Sequence, residues 1–88
     1  MITRSLVIRN RYGLHARPAA KFVEIASKYQ AQVIMIKDGI EVNGKSIMGV
    51  LMLAAEKGSK IEIRANGKDE KEAIEALVGL LEGKLDEE

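Results

Sequence analysis

Five turn signals divide the chain into short stretches: Tyr12-Gly13, Asp38-Gly39, Asn43-Gly44, Lys57-Gly58 and Asn66-Gly67. Glycine after a polar or aromatic residue marks places where the backbone reverses. The stretches between have room for one or two short elements each, and the period of their apolar residues decides which. Ile2 to Ile8 reads as a strand, with Ile2, Leu6 and Ile8 on one side and Thr3, Ser5 and Val7 on the other; Arg4 interrupts the apolar side. Residues 16 to 28 read as a helix, because Ala19, Phe22, Val23 and Ala26 recur at three and four while Lys21, Glu24 and Lys28 face water.

Gln32 to Lys37 and Ile40-Glu41-Val42 flank Asp38-Gly39, and this pair of apolar runs predicts a hairpin whose two central residues take positive φ. Ser46 to Leu53 is ambiguous by period alone. Ser46 is a good N-cap, and Ile47, Val50, Leu51 and Ala54 could share a helical face, with Val50, Leu53 and Ala54 the better core candidates. Lys60 to Arg64 alternates as a half-buried strand. Asp69 opens the best helix: Asp69 and Glu72 have capping-box spacing, and Ile74, Leu77, Val78 and Leu81 make its apolar stripe. Gly79 weakens that helix by about 1 kcal/mol relative to alanine.

The order is β-α-β-β-α-β-α. Four short strands with hairpin signals predict an antiparallel or mixed sheet, covered on one face by helices that each have one apolar side: an α+β two-layer sandwich. With 88 residues, 47% of them hydrophobic, one domain over residues 1–88 is expected, and no repeat or linker divides it. There is no cysteine, so disulfide scaffolds, thiolate metal sites and thiol chemistry are excluded. No signal peptide is evident and no apolar run is long enough to span a bilayer, so a cytoplasmic protein without membrane insertion is expected. Fourteen basic and thirteen acidic residues nearly cancel, which gives no electrostatic case for general nucleic-acid binding. Arg4, Arg9, Arg11, Arg17 and Lys21 nonetheless crowd the first quarter, while Asp86, Glu87 and Glu88 end the chain as an acidic tail.

Chemistry concentrates in Gly13-Leu14-His15-Ala16-Arg17-Pro18-Ala19-Ala20. Pro18 is tolerated only in a first helical turn, so the helix begins near Ala16 and the chain's single histidine stands at its N-cap. The N–H groups of Ala16 and Arg17, the positive end of the helix and the Arg17 guanidinium would surround an anion carried on the imidazole. A neutral imidazole is a usable nucleophile near pH 7. One histidine with no cysteine and no acidic cluster beside it does not make a metal site, and no cofactor is expected. On spacing alone, the favoured reading of His15 is a surface histidine beside a helix start, and that of Ser46 a cap with no further role.

The stretch from Gly13 to Ala19 resembles the active-site signature of the HPr family, the histidine phosphocarriers of the bacterial phosphotransferase system. Asn43-Gly44-Lys45-Ser46-Ile47-Met48-Gly49-Val50 resembles that family's second signature. The resemblance covers essentially the whole chain and implies an open-faced sandwich of four antiparallel strands and three helices. It implies that His15 accepts a phosphoryl group, at Nδ1, from the phosphoenolpyruvate-dependent enzyme I and passes it to an EIIA-type acceptor. Arg17 then accompanies the phosphoryl group, and Ser46 is the residue modified by HPr kinase/phosphorylase where that enzyme exists. Leu14, Ala20, Lys21, Lys45, Ile47, Met48 and Leu51 are expected to form the partner-binding surface, and the carrier is expected to be a monomer.

The run Leu51-Met52-Leu53-Ala54-Ala55 and the acidic tail resemble the nitrogen-related branch, whereas Lys45 to Gly49 resembles the sugar-related one. Two other readings compete: a regulatory binding module set at Ser46 with His15 unused, and a small nucleic-acid-binding domain. The second is poor because the strands lack aromatic residues on which bases stack.

Overall fold

The computed structural model describes residues 1–83; the acidic tail expected at Asp86, Glu87 and Glu88 lies outside the described residues. The elements are β1 (Ile2–Val7), α1 (Ala16–Ala26), β2 (Gln32–Lys37), β3 (Ile40–Asn43), α2 (Ile47–Met52), β4 (Lys60–Asn66) and α3 (Glu70–Glu82). The four strands form one sheet in the order β1-β4-β2-β3, and every neighbouring pair is antiparallel. Of the two sheet types left open by the sequence, the antiparallel one is realised. Asp38 and Gly39 turn the β2–β3 hairpin with φ of 53° and 80°, as two-residue hairpin turns require.

Alternation sets the two faces. Val33 and Met35 of β2 and Ile61, Ile63 and Ala65 of β4 point into the core, where Phe22 of α1, Val50 of α2 and Ile74 and Leu77 of α3 meet them. No polar or charged side chain is buried among the described residues. The opposite face is open and carries Thr3 and Ser5, then Glu62 and Arg64, then Ile34 and Ile36, then Glu41 and Asn43. Ile36 is nevertheless buried; its cross-strand partners in register are Glu62 and Glu41, whose side chains are long enough to cover it. Arg4 falls on the core side opposite Ile63 yet is exposed; β1 is an edge strand, so a long side chain can leave the layer sideways.

Three expectations need correction. The first helix ends at Ala26 instead of residue 28, because Lys28 and Tyr29 donate to Ile25 and Ala26 in a tighter closing turn. Ala54 is not a core residue: α2 stops at Met52, Ala54 is exposed at φ 51°, and Ala55 turns inward instead.

The capping box at Asp69 and Glu72 does not form. The Asp69 carboxylate reaches across to the α1–β2 junction and accepts from the N–H groups of Gln30 (2.9 Å) and Ala31 (2.8 Å). Glu70 ties the approach to the helix instead, accepting from Gly67 N–H at 3.0 Å and from the Met1 ammonium at 2.9 Å. The Gln30 N–H, with Ala31 and the charge of Lys45 acting in the same sense, holds the Asp69 carboxyl below its ordinary value of 3.8 against some desolvation. Glu70 is lowered mainly by the Gly67 N–H.

Candidate phosphoryl-acceptor site

The turn before α1 is held from several directions. Gly13 sits at φ 67°, and a Cβ there would lie 2.4 Å from the Ala55 carbonyl oxygen and 2.8 Å from Glu56 Cα. Both the conformation and the close approach therefore demand glycine. Leu14 N–H donates to the same Ala55 carbonyl at 2.8 Å, Gly13 N–H donates to Asn10 C=O, and the Asn10 amide donates back to Gly13 C=O. The loop is thus pinned to the segment that follows α2.

Helix α1 starts where Pro18 says it must. His15 is the N-cap, in extended backbone at φ −79°, and its side chain makes no capping bond. Pro18 is the third helical residue and has no N–H, so the first intrahelical donor is Ala19, bonded to His15 C=O at 3.0 Å. The N–H groups of Ala16 and Arg17 have no intrahelical partner, as in any first turn. His15 is half-buried and Ala16 and Arg17 are exposed, so the three consecutive residues that open the helix are accessible at the surface. An oxyanion attached to the ring would find charge-assisted donors there without desolvating any buried group.

The second segment behaves differently. Ser46 is the N-cap of α2, and its hydroxyl oxygen accepts from Gly49 N–H at 3.1 Å. Lys45 turns away from the exposed patch: its ammonium donates to Tyr29 C=O at 2.7 Å, at the far end of α1. Since α1 has 11 residues, that end lies roughly 16 Å along the helix from His15. The end of α2, by contrast, runs into Ala55 beside Leu14.

The residues expected in a partner-binding surface divide accordingly. Ala20, Lys21, Ile47 and Met48 are exposed, Met48 to 70%. Leu14 is buried in the core and cannot line an exposed patch, because its backbone is drawn inward by Ala55. Leu51 is half-buried against the core, and Lys45 is engaged as described, so neither forms the patch as expected. Met52, which the expected partner-binding surface does not include, is 77% exposed and shares a helical face with Met48 at i, i+4. Nor does that surface include Tyr12, exposed at the tip of the turn. An aromatic residue just before a turn glycine, three positions from a histidine, was the signal available for the latter. No group of three or more potential metal ligands occurs among the described residues, and no described helix is long and apolar enough to cross a membrane.

Known proteins share both the sequence and the fold of this chain. Residues 2–83 match the family model described as the PTS HPr component phosphorylation site. The phosphocarrier protein HPr of Neisseria meningitidis serogroup A is 48% identical over 83 residues, covering 94% of this chain and 93% of its own. A crystal structure of HPr from Thermoanaerobacter tengcongensis superposes with a TM-score of 0.95 at 49% identity, covering 100% of this chain and 99% of that one. A dimeric HPr crystal structure from the same organism gives 0.78 at 48% identity, with 98% and 99% covered. A family model spanning nearly all the described residues, together with relatives near half identity over their full length, shows that this chain belongs to the HPr family of phosphotransferase-system phosphocarriers.

Proposed function

We propose that residues 1–88 form a single carrier domain that takes a phosphoryl group from phosphorylated enzyme I onto His15 and delivers it to an EIIA-type acceptor. The observation that carries this reading is the position of His15. It is an N-cap whose side chain is not spent on capping, beside two first-turn N–H groups and Arg17. In the accepting step a lone pair of the neutral imidazole, at Nδ1, attacks the phosphorus as the bond to the donor breaks. The three phosphoryl oxygens are then met by Ala16 N–H, Arg17 N–H and the Arg17 guanidinium. Surface exposure keeps these contacts weak enough for the group to leave again, since a helix terminus contributes only about 0.3–1 kcal/mol at such a site. The protein is therefore modified and regenerated, and it is not an enzyme in the turnover sense.

Ile47, Met48 and Met52 supply an exposed apolar face on which different partners can dock, with methionine adapting to each. Arg17 and Lys21 favour acidic partner surfaces beside it. Phosphorylation of Ser46 by an HPr kinase/phosphorylase would leave an oxygen able to accept from Gly49 N–H. The fold would persist, while the new charge would oppose docking at the neighbouring Ile47 and Met48. The open patch is best used by a monomer working in the cytoplasm.

The test is intact mass after incubation with enzyme I, phosphoenolpyruvate and Mg²⁺, beside His15→Ala. One acid-labile phosphoryl group on the wild type and none on the variant is expected. A folded wild type that stays unmodified while another HPr accepts in the same tube would overturn the carrier reading.

A further inference from the structure

The turn before His15 carries an aromatic ring that the carrier chemistry above leaves unused. The chain has three aromatic residues; Phe22 is fully buried and Tyr29 half-buried, whereas Tyr12 is 59% exposed and serves no core. Its ring centroid lies 5.9 Å from that of the His15 imidazole, and the two planes are 87° apart. In this edge-to-face arrangement the positive edge of one ring meets the negative face of the other. The Arg11 guanidinium carbon in turn lies 5.7 Å from the Tyr12 ring centroid, within the range of cation–π attraction. Tyr12 is also poorly free to drift, since the backbone on its C-terminal side is locked by Gly13 against Ala55 and Glu56.

Transfer demands orientation of the imidazole as well as its presence. A histidine ring turns about χ1 and about a broad, roughly two-fold χ2. The helix start fixes the backbone of His15 but not those torsions. For a nitrogen lone pair to face an incoming phosphorus, the ring must be held edge-outward. We propose that Tyr12 is a positioning residue for phosphoryl transfer, holding the His15 ring by its perpendicular contact, with Arg11 steadying Tyr12 in turn. The inference rests on the reading of His15 as the phosphoryl acceptor. An aliphatic side chain of similar size would fill the space without offering a π face.

The experiment compares wild type, Tyr12→Leu, Tyr12→Phe and Arg11→Gln. It measures single-turnover phosphoryl transfer from phosphorylated enzyme I over a range of donor concentrations, with NMR of the His15 ring protons. Tyr12→Leu is expected to slow transfer at saturating donor about tenfold, since small misplacements of a reacting group are costly in rate. The His15 ring-proton shifts should move with it, as the ring current is lost. Tyr12→Phe keeps the π face and should restore both rate and shifts, and Arg11→Gln should lose about twofold. Unchanged saturating rates in Tyr12→Leu, a Tyr12→Phe variant as slow as Tyr12→Leu, or a loss confined to half-saturation would each overturn the proposal; the last would make Tyr12 a docking residue only. If wild type itself takes no phosphoryl group, the carrier reading falls and this one with it. If wild type is modified on His15 and Tyr12→Leu matches it, only the positioning role falls.

Discussion

His15 and Ser46 occupy the same position in their helices, the residue before the first helical one of α1 and of α2. Ser46 spends its side chain on the helix, its oxygen closing onto Gly49 N–H. His15 makes no such bond, and Pro18 removes one of the donors that a cap would have served. The first turn of α1 is instead secured from outside, by Leu14 N–H bonded to Ala55, by the close approach of Gly13 to the same residue, and by the burial of Pro18 and Ala19. A helix start that is stabilised by its surroundings does not need its own side chain as a cap, and its first-turn N–H groups stay open to another acceptor. One that stabilises itself cannot offer the same groups twice.

The contrast can be broken most severely at His15. His15→Ala should abolish phosphoryl acceptance while costing no more than about 1 kcal/mol of stability, as for a half-buried residue that makes no capping bond. A large loss of stability in urea unfolding would show that the imidazole holds the helix after all. Gly13→Ala attacks the external support. It forces an L-residue to φ 67° with its Cβ against backbone atoms of Ala55 and Glu56, and should cost about 2–4 kcal/mol by urea unfolding, with slower acceptance in the folded fraction.

Ser46→Ala should give the reverse pattern to His15→Ala. It loses about 1 kcal/mol of stability with the cap and retains phosphoryl acceptance at His15. If acceptance falls in step with stability, the two helix starts are not independent.

The subtlest effect concerns the third start, at α3. Asp69 has its pKa lowered in the folded state, chiefly by Gln30 N–H, so the stability it contributes is fully present above its ordinary value of 3.8. That contribution is lost as the pH falls through the lower folded value. Urea midpoints measured from neutral pH down into this acid range should fall less steeply for Asp69→Asn than for wild type. Equal slopes would assign the acid sensitivity to other carboxylates.

Much of this was legible in the residues themselves. Period-two alternation placed β2 and β4, Asp38-Gly39 placed the hairpin, and Pro18 after His15 located the start of α1 to the residue. The motif containing His15 was visible for the same reason, since its geometry is local: a cap, two donors and an arginine within three positions. The apolar run over α2 was harder, because a six-residue helix has too few turns to show which side faces the core. Ile47, Met48 and Leu51 were grouped together, although Leu51 packs inward and Met52 takes the outer place.

What remained hidden depended on contacts between distant parts of the chain. Lys45 bonds a carbonyl 16 positions away, and Asp69 bonds amides 38 and 39 positions away. Local pattern therefore could not separate a rim lysine from one tied to α1, or a capping aspartate from one that clasps the α1–β2 junction. Leu14 turned inward because Ala55 was there to receive its N–H, and Tyr12 met His15 because the same junction fixed the turn between them. Hydrophobic period, glycine and proline act through the nearest few torsions, so the chain alone settled its elements and the place of its histidine. The partners of polar side chains, and the direction in which the imidazole faces, depend on which backbone groups the packed layers bring within about 3 Å, the reach of a hydrogen bond.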